Sequence, residues 1–222
     1  MNANWGNKSV GSIVSALPAA AGVFKKFGID YCCGGQKLLS MVTEEQKINR
    51  AKVEEFLDIA YENAQRSRGI VDFKALSQGD LSSYIETKHH TYLREALPQI
   101  DGVFNTVLKA HGKNHPELFE LHKVYSRLKG DLDQHLIKEE TMLFPAFNDS
   151  ITAETRDISR QIKQEHEEAG KALAQMRRIS NDYKPPMDAC MTYQRLFTML
   201  EDLENDLHQH VHLENNILLV DI

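Results

Sequence analysis

Apolar residues along this chain recur every three or four positions, and no stretch alternates convincingly with period two, so the pattern predicts an all-α protein. In the first third, Ile13, Val14 and Leu17 precede Pro18, and Val23, Phe24 and Phe27 run up to Gly28, which reads as two short helices. Asp30-Tyr31-Cys32-Cys33-Gly34-Gly35 then reads as a tight loop. Thr43-Glu44-Glu45-Gln46 has capping-box spacing and is expected to open a helix carrying Ile48, Phe56, Leu57 and Ala60. The periodicity fades around Ser67 to Gly69. A boundary near residues 67 to 76 is therefore expected, with a small helical N-terminal domain over 1–72 and a main body over 73–222.

The main body carries four long helical stripes. The first follows the capping spacing Ser77-Gln78-Gly79-Asp80 and aligns His90, Leu93, Leu97, Ile100, Phe104 and Val107, with Pro98 expected to kink it. The second begins at Pro116 and aligns Leu121, Tyr125, Leu128, Leu132, His135, Glu139 and Leu143 before Pro145, in steps of 4, 3, 4, 3, 4 and 4. The third aligns Thr155, Ile158, Ile162, His166, Ala169, Leu173 and Met176 ahead of the break from Asn181 to Pro186. The fourth aligns Tyr193, Leu196, Leu200, Leu203, Leu207, His210, Glu214 and Ile217. Four such helices joined by short breaks form an up-down four-helix bundle.

Six residues on these stripes do not belong in an apolar core: His90, His135, Glu139, His166, His210 and Glu214. Burying an unpaired carboxylate costs several kcal/mol, so the fold must supply partners. His135/Glu139 and His210/Glu214 are each spaced i, i+4, which puts both side chains on one helix face. The set also repeats: His90 to His166 spans 76 positions, and His135 to His210 and Glu139 to Glu214 span 75 each. One His-x-x-x-Glu is often a surface ion pair, and one core histidine often just a hydrogen-bonded residue. Two helix pairs bearing the same polar set instead predict a pseudo-symmetric site of four imidazoles and two carboxylates, filled by two metal ions bridged by the glutamates. Imidazole and carboxylate without thiolate suit iron or manganese, and positions left open on such ions admit water, dioxygen or nitric oxide. Glu140, Glu165, Glu167 and Glu168 read either as hydrogen-bonding support for the ligands or as a solvated acidic face. His89, His208 and His212 fall off the stripes, and His111, His115 and His122 sit at a break or on a flank; these are expected to be solvated or to support the ligands from outside.

Composition narrows the class. Of 222 residues, 41% are hydrophobic and 26% charged, ordinary for a packed chain, and the formal charge of −6 gives nucleic acid no overall attraction. No apolar run reaches the ~20 residues of a membrane helix, and Met1 to Val10 lacks a signal-peptide layout, so a cytoplasmic protein without membrane partners is expected. Three cysteines, two of them adjacent, make no disulfide framework. Cys32 and Cys33 read either as two thiols on a flexible Gly-flanked loop, suited to metal handover or redox exchange, or as a structural or incidental pair, and Cys190 as a small core residue near a helix start.

The loop Asp30 to Gly35 in a short N-terminal domain, followed by His135-Leu136-Ile137-Lys138-Glu139-Glu140-Thr141-Met142-Leu143-Phe144-Pro145, Glu165-His166-Glu167-Glu168-Ala169-Gly170 and His210-Val211-His212-Leu213-Glu214-Asn215-Asn216, resembles the di-iron iron-sulfur cluster repair proteins. That bacterial family joins a small cysteine-bearing domain to a hemerythrin-like bundle. The resemblance implies that His90, His135, Glu139, His166, His210 and Glu214 ligate two non-haem irons, with Glu139 and Glu214 bridging, and that Cys32 and Cys33 have a thiol role. It further implies a cytoplasmic homodimer that restores iron-sulfur clusters damaged by nitrosative or oxidative stress, with damaged iron-sulfur proteins as partners. A hemerythrin-like dioxygen or nitric-oxide carrier or sensor, and a nitric-oxide reductase, are the alternatives. One departure stands at the end: similar proteins tend to repeat Leu-Phe-Pro after the second His-x-x-x-Glu, where this chain reads Leu218-Leu219-Val220-Asp221-Ile222.

Overall fold

The structure is a computed structural model and describes residues 4–66, 72–220 and 222. The all-α expectation holds: nine α-helices, α1 Val10–Ala16, α2 Ala20–Phe27, α3 Leu39–Glu45, α4 Arg50–Arg66, α5 Gln78–Ile85, α6 Thr91–His111, α7 Glu117–Lys138, α8 Ala153–Ile179 and α9 Met191–Leu213, are found among the described residues. None of these helices is long and apolar enough to cross a membrane.

The chain divides into two compact units, Ser82–His208 and a discontinuous one made of Met1–Leu81 with Gln209–Ile222. In the first, the expected stripes become the core: Leu93, Leu97, Ile100 and Phe104 of α6, Leu121, Tyr125 and Leu128 of α7, Leu173 and Met176 of α8, and Tyr193, Leu196, Leu200 and Leu203 of α9 are buried together. Side chains recurring every three or four residues share one helix face, which is why the apolar stripes and the buried faces coincide. α8 starts where Thr152 and Thr155 exchange a reciprocal capping pair, so Thr155 lies on the buried face with its hydroxyl occupied. Pro98 lies within α6, and Ser77 caps α5 as its spacing predicts.

The discontinuous unit has its own core, in which Val10, Ile13, Phe24, Leu39, Val53 and Leu57 pack with Val211 from the C-terminal segment. Gly28 ends α2 in the left-handed conformation at φ 66°, as the sequence predicts. The expected capping role of Thr43 is not found. Thr43 lies inside α3 and its hydroxyl donates back to the carbonyls of Leu39 and Ser40; Asn49 instead accepts from Lys52 N at the start of α4. The expected boundary near 67–76 falls partly on 67–71, which lie outside the described residues.

Three π-helical turns were not foreseen. They occupy Glu86–His90, Glu139–Leu143 and Glu214–Leu218, so three of the six singled-out residues lie in or open a π turn. A π turn bonds i to i+5, as Leu219 N does to Glu214 O at 2.8 Å, and advances the chain by more residues per turn than an α-helix. This corrects the fourth stripe: Leu218, four positions after Glu214, is buried, and Ile217 is only half-buried.

Candidate metal centre and thiol loop

Within the bundle unit, Glu139 is fully buried and three imidazoles surround its carboxylate. His90 Nε2 lies 3.3 Å from Glu139 Oε2, while His135 Nε2 lies 3.2 Å and His166 Nε2 3.9 Å from Oε1. The Nε2 atoms of His135 and His166 are 3.2 Å apart. His90 comes from the π turn between α5 and α6, His135 from the last turn of α7, Glu139 from the π turn after it, and His166 from the middle of α8.

Outer carboxylates set the tautomers. Glu140 accepts from His90 Nδ1 at 2.8 Å and is itself forked by Arg94, while Glu165 accepts from His135 Nδ1 at 2.8 Å and pairs with Lys138. Burial alone would raise the Glu140 carboxyl, but Arg94 and His90 outweigh it and hold it below the usual carboxylate range. The His135 hydrogen bond, against partial burial and helped by Lys138, lowers Glu165 to about 2. With the Nδ1 protons so engaged, the Nε2 lone pairs of His90 and His135 point at the lone pairs of Glu139. Such a meeting of acceptors fits a shared cation, and a histidine that gives its other ring proton to a carboxylate is the usual support of a metal ligand. Glu139 has one oxygen toward His90 and the other toward His135 and His166.

In the other unit, His210 and Glu214 are buried and face each other, Nε2 to Oε1, at 3.2 Å. Of the supporting carboxylates, Glu140 and Glu165 brace the histidines, whereas Glu167 is exposed and Glu168 pairs with Lys171 at the surface.

Three expectations need correction. His89 is 1% exposed rather than solvated, because its Nδ1 sits 2.9 Å from Asp206 Oδ1 in the bundle unit. His212 is likewise buried: its Nε2 is 3.4 Å from Ser15 Oγ, its ring meets Tyr31 edge-on, and burial lowers it to about 4. Cys190 is exposed, just before α9, with His111 Nε2 3.1 Å from its sulfur. In each case a polar partner distant in sequence decides the placement, which local periodicity does not encode.

The Cys32–Cys33 loop is ordered around Asp30. Oδ1 of Asp30 accepts from the backbone N–H groups of Cys32 and Cys33, both at 3.0 Å, and Oδ2 accepts from Gly34 N at 2.9 Å. Asn216, in the π turn Glu214–Leu218, donates to the carbonyls of Tyr31 and Cys32, and Asn215 to that of Cys32. Glycine is required beside it: a Cβ on Gly35 would lie 2.1 Å from Asn216 Oδ1 and 2.7 Å from the Tyr31 carbonyl, and one on Gly11 2.3 Å from the same Oδ1. The two thiols are not joined as a disulfide; Cys32 is buried and Cys33 half-buried.

Fold and donor set first define a class, helical proteins with a hemerythrin-type cation site, and the hemerythrin HHE cation binding domain family matches residues 82–221. Residues 6–61 match the family ScdA_N, described as a domain of unknown function (DUF542). The "Iron-sulfur cluster repair protein ScdA" of Staphylococcus haemolyticus is 32% identical over 94% of this chain and 95% of its own length. The "Probable iron-sulfur cluster repair protein" of Haemophilus influenzae is 30% identical over 97% and 96%, and the "Iron-sulfur cluster repair protein YtfE" of Musicola paradisiaca 28% identical over 97% and 96%. The chain belongs to this bacterial family of iron-sulfur cluster repair proteins.

Proposed function

We propose that this chain restores damaged iron-sulfur clusters by binding two iron ions and releasing them to the damaged protein, with His90, His135, Glu139, His166, His210 and Glu214 as the iron ligands. The observation that carries this reading is the buried Glu139 carboxylate held between His90 on one oxygen and His135 on the other. The repeated sequence set supports assigning to His210 and Glu214 the part that His135 and Glu139 have, with Glu214 as the second bridge.

Bound iron supplies open coordination positions and exchangeable cargo. The chain's own residues do the rest. Glu140 and Glu165 keep the ring protons of His90 and His135 on Nδ1, so that Nε2 is available as a ligand. Both outer carboxylates are partly exposed and carry cationic partners, Arg94 and Lys138, so they are reachable from solvent without opening the core. Imidazole and carboxylate hold iron less tenaciously than a closed thiolate set, which suits a donor.

The purified chain loaded with ferrous iron is expected to hold close to two ions, and Glu139→Leu or Glu214→Leu to lower that content while helicity persists. Metal analysis with far-ultraviolet circular dichroism checks this, and a homogeneous preparation that takes up one ion or none overturns the two-iron reading.

A further inference from the structure

The geometry points to a second metal site, separate from the histidine–glutamate set, in which Asp30, Cys32 and Cys33 bind one thiophilic divalent cation, ferrous iron in the cell. Ligand atoms of these three residues lie within 4.8 Å of one another. The two sulfurs are 3.8 Å apart, and Asp30 Oδ1 is 3.2 Å from Cys32 Sγ. A tetrahedral ion at about 2.3 Å from each of two sulfurs sets them about 3.8 Å apart, so the vicinal pair is already at the bite of a chelate. Adjacent cysteines close a disulfide only in strained geometry; as chelating ligands they need no such strain.

The rest of the loop serves the same end. Three backbone N–H groups fix the Asp30 carboxylate, as ligating carboxylates are commonly fixed; two of them fall on Oδ1, and Oδ2, which accepts from Gly34 N, keeps lone-pair capacity for a metal. Asn216 and Asn215 hold the carbonyls on either side of Cys32, which sets where its sulfur lies. Exposed Asp30 and half-buried Cys33 leave an approach from solvent, with Cys32 beneath. The hydrogen bond with Cys33, then burial, then the charges of Cys33 and Asp30 hold the Cys32 thiol well above the ordinary thiol range. On binding, two S–H bonds are lost and two metal–sulfur bonds form, two protons pass to solvent, and no electrons change hands. As a station for iron in transit, the site rests on the iron-donor reading above; as a metal site it stands alone.

Cobalt(II) is a suitable probe, because thiolate ligation gives a sulfur-to-cobalt charge-transfer absorption that imidazole and carboxylate do not. Reduced, metal-free, full-length Cys190→Ser protein is titrated with cobalt(II) under argon, with released protons followed by an indicator. The expected result is a charge-transfer band with the intensity of one dithiolate-bound cobalt ion per chain, the two thiol protons being released to solvent as it forms. Cys33→Ser and Cys32→Ser should each abolish it, and Asp30→Asn should weaken cobalt binding at this site by about tenfold or more, at unchanged helicity. Cys33 is half-buried, so its serine variant decides the matter should Cys32→Ser unfold. No band, or a band that survives Cys33→Ser, overturns the site. Bundle iron measured on parallel samples of the same variants loaded with ferrous iron separates the two readings: iron bound without the cobalt band removes the thiol site alone, and the band without bundle iron removes the donor reading alone.

Discussion

His89 and His90 are adjacent and both buried, yet they face different partners because successive side chains of a helical turn point in different directions around its axis. His90 has Nε2 on Glu139; His89 has Nδ1 on Asp206 and its ring against Tyr84. His90→Ala is therefore expected to cost most of the bound iron. His89→Ala should keep the iron and instead lower apo-protein stability by about 1–3 kcal/mol, the cost of leaving a buried hydrogen-bond partner unsatisfied. Iron content and thermal unfolding of the two variants check this, and equal iron losses would show the assignment to be wrong. At Cys190, the Tyr193 backbone N–H and then the His111 side chain lower the thiol to about 7. The thiolate is the reactive form, so alkylation should be half-maximal near pH 7, and His111→Ala should move the midpoint upward toward the ordinary thiol range. Peptide mass spectrometry across pH distinguishes Cys190 from Cys32, whose thiol is shifted the other way.

At the scale of elements, Gly35 and Gly22 make opposite predictions. Gly35 is buried where the loop meets Asn216, and the Tyr31 carbonyl, which would stand 2.7 Å from an added Cβ, is backbone that cannot swing aside. Gly35→Ala should destabilise the apo chain by about 1–3 kcal/mol, as overpacking does. Gly22 is exposed within α2 with nothing within 4 Å of a Cβ, so Gly22→Ala should stabilise by about 0.4–1 kcal/mol through the unfolded state. Chemical denaturation measures both, and a Gly35→Ala chain as stable as the parent would sink the close-packing argument. The helices themselves were legible in the sequence because a 3.6-residue period is a local property, as the buried run Leu121, Tyr125, Leu128 and Leu132 illustrates. The π turns left no such trace. His135, Glu139 and Leu143 follow one another in two consecutive steps of four, but so do Ile158, Ile162 and His166 within the α-helical α8, so the spacing alone does not mark a π turn. The Thr43 hydroxyl chooses between a cap and the i−4 carbonyl according to where the preceding helix began, and the capping spacing alone carries no such information.

Across the whole molecule, the chain folds back to complete the discontinuous unit: the C-terminal segment supplies Val211 to the core that α1, α2 and α4 share, and His212, Asn215 and Asn216 to the surroundings of the cysteine loop. The sequence repeat pointed to His210 and Glu214, but the loop's dependence on residues more than 180 positions away joins two distant segments and has no local signature. Two sets of candidate ligands thus differ in chemistry. The histidines and glutamates need no thiol, and the thiols need no imidazole. Cys32→Ser with Cys33→Ser is accordingly expected to leave bundle iron and helicity nearly intact, because serine is close to cysteine in size and its hydroxyl can donate to Asp30 as the Cys32 thiol does. Recovery of an iron-sulfur enzyme whose cluster was destroyed by nitric oxide should nevertheless fall well below the wild-type rate, since thiolate can take iron by ligand exchange and a hydroxyl cannot compete for it. A paired assay of bound iron and enzyme reactivation tests this division of labour. Repair at the wild-type rate would remove any essential thiol chemistry from the loop, and loss of bundle iron in the double variant would show that the thiols support the histidine–glutamate set after all.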